Sequence, residues 1–381
     1  MRASVFRKVT RLGLIVALSL LQSLARAADP VADATAKFLA GLPIEGTPLE
    51  GKAADPAWVQ HVKEFESQWT RFDENQHQKI QAWREQALPQ YLTNRDPLFY
   101  LFSGPDFLYA SAFFPNAPTY ILCGMEPIGS IPDINTLSSA ELNVALTNLR
   151  KTVESSLDWS FFITKKMKSD LAGSRFTGTL PILFVFLART NCTIESIIPV
   201  QIDANGNLTE ETKKTIPGVR IVFSSEGAST QTLYYFTTDL SDWSVKANPG
   251  FLKFCEQQGR GTSLLKAASY LMHRNTFTTV RDFLLRNSDL ILEDDSGIPF
   301  RFFPDDHWML QLYGRYAGPI PLFKEFPQPD LTKAFTQTNP PMLGFSFGYQ
   351  WHPSRSSLIV ATAKQSPDHL LETPGTGTGD D

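Results

Sequence analysis

Cysteine is scarce in this chain: three in 381 residues, at positions 123, 192 and 255. Spacing that wide argues against a cysteine-built zinc site, whose ligands come in closely spaced pairs. In an oxidising compartment one pair could bridge, which would leave one thiol over. Cys123 and Cys192 fall within apolar runs, where a small buried thiol is the ordinary occupant. Histidine is nearly as rare, with six copies. The chain has no H-E-x-x-H, no Walker A loop and no G-x-G-x-x-G, and neither Ser103 nor Ser296 is flanked as in a G-x-S-x-G elbow. Metalloprotease, P-loop hydrolase and dinucleotide enzyme each lack a required part. Beyond residue 27 no stretch reaches the ~20 apolar residues that a bilayer-spanning helix needs.

What is present begins with a leader. Arg2, Arg7, Lys8 and Arg11 precede a mostly apolar run over 12–25, and Ala25-Arg26-Ala27 places small residues where a signal peptidase reads. Residues 1–27 therefore read as a removable secretory signal, giving a periplasmic or extracellular protein. Removing it takes five of the 35 basic residues, leaving 30 against 39 acidic ones, a balance of −9. An acidic chain is a poor partner for nucleic acid or an anionic membrane surface. Aromatics make up 12% of the sequence, with 28 Phe, which indicates a substantial core.

Residues 28–54 are small and rich in Pro and Gly and read as a loose lead-in. Asp55-Pro56 then supplies a helix cap and a first-turn proline. Trp58, Val62, Phe65, Trp69, Phe72, Ile80, Trp83 and Ala87 follow at alternating steps of four and three, interrupted by Gln76. This predicts a long amphipathic helix over 56–88. Its Trp-rich stripe either recruits a protein partner or packs on its own domain, and the second is the commoner use.

The body, 91–364, opens with apolar 98–102, a helix over 107–114 and apolar 119–123. Strand, short helix, strand is a compact βαβ unit, which implies parallel strands. Ser138-Ser139-Ala140-Glu141 is a capping box opening a helix whose pattern runs on, less regularly, to 171. The run 180–187 fits strand or helix equally. Strands are expected at 194–202, 219–223 and 232–237, the last two as a hairpin, and at 290–292 and 298–303 around the turn Asp294-Asp295-Ser296-Gly297. Helices are expected after Asn248-Pro249 and at caps Thr262 and Thr276. A final hairpin joins 343–351 to 357–363, and the tail 365–381 reads as disordered. These elements specify an α/β fold with a mixed, partly parallel sheet flanked by helices and an N-terminal helical extension.

Four strings carry a family resemblance: YLFSGPDFLYASAFFP at 100–115, GMEPIG at 124–129, LLKAASYLMH at 264–273 and EDDSGIPFRFF at 293–303. They resemble those of a family of exported bacterial proteins to which no activity attaches. The resemblance covers most of the chain after residue 90. It implies a bacterial, exported setting and no catalytic roles.

Ligands in open α/β sheets bind outside the carboxyl ends of parallel strands. Here the loop after the first strand carries Ser103 and Asp106, and the loop after the second carries Glu126. With Tyr109 nearby, these groups suit acid–base hydrolysis, and a divalent cation is the cofactor that their oxygens allow. Each also has a plain structural use: Ser-Gly-Pro-Asp is turn chemistry, Asp106 caps the following helix, and Glu126 is a loop acid. Asp294 and Asp295 are a second candidate. Glu293 and Asp295 have the spacing of a phosphotransfer pair, although an Asp/Ser/Gly turn accounts for them as well. A third is a triad of Ser103 or Ser296 with His273 or His307, where His273 equally suits a helix end. The expectation is a binding domain with its site at the carboxyl edge of the sheet; the alternative is a hydrolase with an acidic cleft, alone or around a metal.

Overall fold

The computed structural model describes residues 29–364 except 94, 163–174, 211–212, 226–228 and 351. The leader at 1–27, the tail at 365–381 and the helical pattern expected through 163–171 lie outside the described residues.

The first element is a helix, α1 (Pro30–Leu39), where composition implied a loose lead-in. Asp29 Oδ1 accepts from Val31 N and Ala32 N, and Pro30 occupies the first turn. Through its first two turns the buried apolar residues are alanines, Ala32, Ala34 and Ala36, with Phe38 and Leu39 only at its end, so the stripe does not stand out in sequence. Asp33 ties the helix down by accepting from Ile194 N at 3.0 Å. Next come α2 (Pro56–Phe72), a π-helical turn at Asp73–His77 and α3 (Gln78–Ala87). Asp55 caps α2 at Ala57 N, as its position predicts. The apolar stripe faces the protein's own core: Trp58, Phe65, Phe72 and Ile80 are buried, and Trp83 meets Phe113, Tyr313 and Phe345 edge-on. Gln76, the polar interruption, sits at the π-helical turn and accepts from Ser346 N at 2.8 Å.

The βαβ unit is β1 (Leu98–Tyr100), α4 (Phe107–Phe113) and β2 (Thr119–Gly124), with β1 and β2 parallel. Then follow α5 (Ser139–Trp159), with the Ser138–Glu141 capping box formed, and α6 (Leu180–Arg189). Burial on all sides explains why α6 carried no period. Next are β3 (Cys192–Ile202), β4 (Leu208–Thr209), β5 (Ile216–Ser225) and β6 (Gln231–Thr237), then α7 (Asp242–Ala247) and α8 (Gly250–Gln257). The chain closes through β7 (Gly261–Leu265), α9 (Thr278–Asn287), β8 (Ser288–Glu293), β9 (Trp308–Gly314), α10 (Pro329–Thr338) and β10 (Ser357–Ala363).

Four expectations are corrected here. Thr262 caps no helix; it lies in β7, hydrogen-bonded between β1 and β8. The strand, Gly-Thr-Ser-Leu-Leu, is buried on both faces, so it shows no apolar-polar alternation to mark it. The cap of α9 comes from across the fold, since Asp242 accepts from Thr278 N and Thr279 N. Residues 298–303 hold a 3-10 turn at Phe300–Phe302, because Ile298 N donates to Glu293 and Phe300 N to Gln328 rather than to a ladder. Residues 343–350 do not pair with β10, whose two edges are taken by β8 and β9; Phe345 and Phe347 pack on Phe113 instead.

Among the described residues the ten strands form one sheet in the order β4-β3-β5-β6-β2-β1-β7-β8-β10-β9. Its centre, β6-β2-β1-β7-β8, is parallel throughout, and the flanks are antiparallel. Period-two alternation divides the strands between two cores. Leu98, Tyr100, Tyr120 and Leu122 join one; Phe99, Leu101, Ile121 and Cys123 join the other. From β1 the chain steps outward to β2 on one side, and β7 returns to the opposite flank of β1. The direction of winding therefore reverses between β1 and β7.

Candidate functional site

All five parallel strands end at one edge. The loops that follow β1, β2, β6 and β7 enclose a half-open cavity of about 260 Å³, with Phe161, Phe162, Phe277 and Tyr349 completing the wall. Ser103, Asp106 and Glu126, the three acid–base candidates, all line it.

Asp106 does more than cap. Its Oδ1 accepts from Tyr109 N, which starts α4, while its Oδ2 accepts from Tyr100 OH at 2.9 Å. The same Oδ2 lies 2.9 Å from Lys266 Nζ, in an ion pair whose two side chains are 0% and 2% exposed. Lys266, one residue beyond β7, also donates to Ser160 O and stands 3.8 Å from the centre of the Tyr109 ring. Burial pulls the Lys266 ammonium below its ordinary pKa, opposed by the Asp106 carboxylate. The pair thus bridges the β1 and β7 loops at the reversal point.

Glu126 is placed by its backbone. Its carbonyl accepts from Tyr235 OH at 3.1 Å and Thr237 Oγ1 at 2.8 Å. The loop beyond is clamped to the start of α6, since Thr179 N donates to Pro127 O and Leu180 N to Ile128 O. The clamp needs Gly129 and Gly178 at φ +81° and +73°, each with the other's backbone where a Cβ would stand. Glu126 is only 6% exposed, yet its carboxylate has no hydrogen-bond or ion-pair partner among the described residues. Oε2 lies 2.6 Å from where a Gly124 Cβ would project, so the carboxylate rests against bare backbone at the cavity wall.

The β7 loop is strained. Ala267, Ser269 and Tyr270 have φ of +53°, +56° and +52°, three left-handed non-glycine residues within four positions. Each such residue costs ~1–2 kcal/mol, and strain of this kind persists only where surrounding contacts hold it. The holding contacts come from the acids after β8. Asp294 Oδ1 accepts from Ala267 N and Ser296 Oγ, and its Oδ2 from Tyr349 N. Asp295 accepts from Tyr270 OH and, at 3.3 Å, from Ser357 Oγ. Tyr349 OH and Ser269 Oγ pair at 2.7 Å on the cavity side. Burial raises the pKa of all three neighbouring acids: Glu293 well above the carboxylate range, Asp294 upward, and Asp295, with Asp294 beside it, to about 7.

No match was found among protein-family models, curated proteins or solved structures. The site must therefore be read from its own chemistry.

Of the residues singled out in sequence, Ser103, Asp106 and Glu126 share the cavity, while Tyr109, His273, Asp294 and Asp295 do not line it. Tyr109 is buried beneath it, and Asp294 and Asp295 brace the β7 loop from behind. His273 packs against Tyr270 and Phe326, and burial lowers its pKa to about 4. Among the described residues no hydrogen bond joins His273 or His307 to Ser103 or Ser296; Ser103 Oγ donates to Gly104 O. Nor do three His, Cys, Asp or Glu side chains gather as a metal-ligand set among the described residues. The cation beside Asp106 is an ammonium. Cys123, Cys192 and Cys255 are all free and buried. Sequence reasoning missed Lys266, whose signal was a lone charge inside the apolar run 264–268, where a lysine must be paired. It missed Ser269 and Tyr349 entirely, because only tertiary folding brings 349 to the loop.

Proposed function

We propose that this protein is a binding domain for a small organic molecule, with its site in the cavity at the carboxyl edge of the sheet. The observation that carries the reading is the position of the cavity, outside the strand ends and beside the β1–β7 reversal, where open α/β sheets hold ligands. Apolar rings with a few fixed polar groups are the usual lining of such sites, and ~300 Å³ is their lower size range. The strained β7 loop, held by Asp294 and Asp295, supports a preformed wall.

A hydrolase would need Asp106 to exchange a proton with substrate. Both of its oxygens are already committed, to Tyr109 N, Tyr100 and Lys266, and Glu126 alone cannot divide acid and base roles. The metal version draws no support from the ligand set among the described residues. Export by the N-terminal leader belongs to the same proposal, and N-terminal sequencing of protein recovered outside the cytoplasm should begin near Ala28.

The test is a thermal-shift screen of fragment-sized organic compounds against the protein and against Thr238→Trp, a substitution that puts a large ring on a residue of the cavity lining. A selective ligand at 100 times its Kd stabilises the folded state by ~2.7 kcal/mol. Hits lost in Thr238→Trp support the assignment. Hits indifferent to it, or none at all, overturn it.

A further inference from the structure

We propose that the ligand is an organic cation, a protonated amine on an apolar or aromatic body, with the Glu126 carboxylate as its counter-charge. The inference rests on the cavity being the binding site and adds the chemical class of what it takes.

Among the described residues, the charges that line the cavity are three carboxylates, Asp106, Glu126 and Asp239, against one ammonium, Lys266. Two of the acids are spent. Asp106 is neutralised by Lys266. Asp239 accepts from Ser241 N, Ser241 Oγ and Ser244 Oγ, each at 2.9 Å, bracing Ser241, the N-cap of α7. Glu126 is left as a residue only 6% exposed, whose carboxylate lines the cavity without a partner among the described residues. An unpaired charge taken from water is costly, and a partner that enters with opposite charge removes most of that cost. Lys266 cannot supply it, since its ammonium is fully buried against Asp106 and Ser160.

Two observations choose an organic cation over an inorganic one. A hard divalent ion needs six or more oxygen ligands, and among the described residues no third metal-ligating side chain joins Asp106 and Glu126. The large apolar side chains of the lining include Phe102, Phe161, Phe162, Phe277, Met125 and Leu271, with Tyr349 beside them. Ring faces attract ammonium groups and accommodate an apolar stem. An anionic ligand would meet Glu126 with no free cation among the described lining residues to offset it.

The experiment is calorimetric titration of the protein with aryl- and alkylamines, each beside its alcohol and carboxylate isostere, for example 2-phenylethylamine, 2-phenylethanol and 3-phenylpropionate. The amine of at least one set should bind about tenfold or more tighter than its alcohol, since each tenfold is one ordinary charge-assisted contact. Glu126→Gln should erase that advantage and Glu126→Asp should retain part of it, with folding of both verified by thermal melts. The comparison of isosteres on the unaltered protein stands even if a variant fails to fold. Alcohols or carboxylates that bind as tightly as the amines, in a manner lost in Thr238→Trp, overturn the cation and leave the cavity as the site. No binding in any series overturns both.

Discussion

Lys266 Nζ lies 2.9 Å from Asp106 Oδ2 across the β1–β7 crevice, with no more than 2% of either side chain exposed. One partner sits at the end of a strand near the front of the chain and the other 160 residues on, so the pair locks the two halves of the parallel sheet at the point where winding reverses. Removing one partner of a buried pair strands the other. Lys266→Met should therefore destabilise the protein by ~3–5 kcal/mol in urea denaturation. The double variant Lys266→Met/Asp106→Asn should recover ~1 kcal/mol or more relative to additivity, since the leftover charge is gone. Strictly additive losses would show that the two groups do not interact.

Asp295 gives stability a pH dependence of definite sign. Burial and the Asp294 charge raise its pKa from 3.8 to about 7, so the folded state holds a proton that the unfolded chain releases. That contribution is whole below the unfolded pKa and is lost as pH rises through about 7. Asp295→Asn should thus gain on the unaltered protein between pH 4 and 8 by on the order of 3 kcal/mol, read from denaturation midpoints at each pH. Parallel pH curves would refute the assignment.

His61 acts with the opposite sign. Its Nε2 lies 2.9 Å from Leu39 O and its Nδ1 receives Arg150, which selects the neutral Nε2–H form. Burial, with Arg150 and Arg189 nearby, lowers its pKa to about 3. Stability is whole above 6.5 and falls as pH drops toward 3, because only the unfolded chain takes the proton. His61→Gln, which can donate and accept in the same two directions, should lose ~1–3 kcal/mol less than the unaltered protein between pH 6.5 and 4.

Gly124 lines the cavity where there is no room for a side chain. A Cβ there would stand 2.6 Å from Glu126 Oε2, 2.8 Å from Tyr235 OH and 3.1 Å from Gly104 Cα. Gly124→Ala should cost ~1–3 kcal/mol by overpacking and should weaken any ligand that depends on Glu126. A thermal melt and a titration on the same sample check both halves.

Much of the architecture is written locally. The βαβ unit, the Ser138 capping box, the Asp55 cap and the 3.6-residue stripe of α2 and α3 each follow from neighbouring residues, whose propensities need no distant partner. The same locality places Ser103, Asp106 and Glu126 at one sheet edge, since each follows directly on a strand of the βαβ unit. Tertiary structure decided the rest where the controlling partner is far away in sequence. Helix α6 and strand β7 are buried on all sides, which removes the polar alternation that sequence reading relies on. Helix α9 is capped by Asp242, and the residues after β8 turn away from the ladder because Glu293 and Gln328 take their N–H groups. Above all, sequence could list carboxylates but could not say which were already satisfied. Only packing brings Lys266 to Asp106 and none of the described cations to Glu126, because charge pairing in an interior is settled by which distant segments share the same small volume.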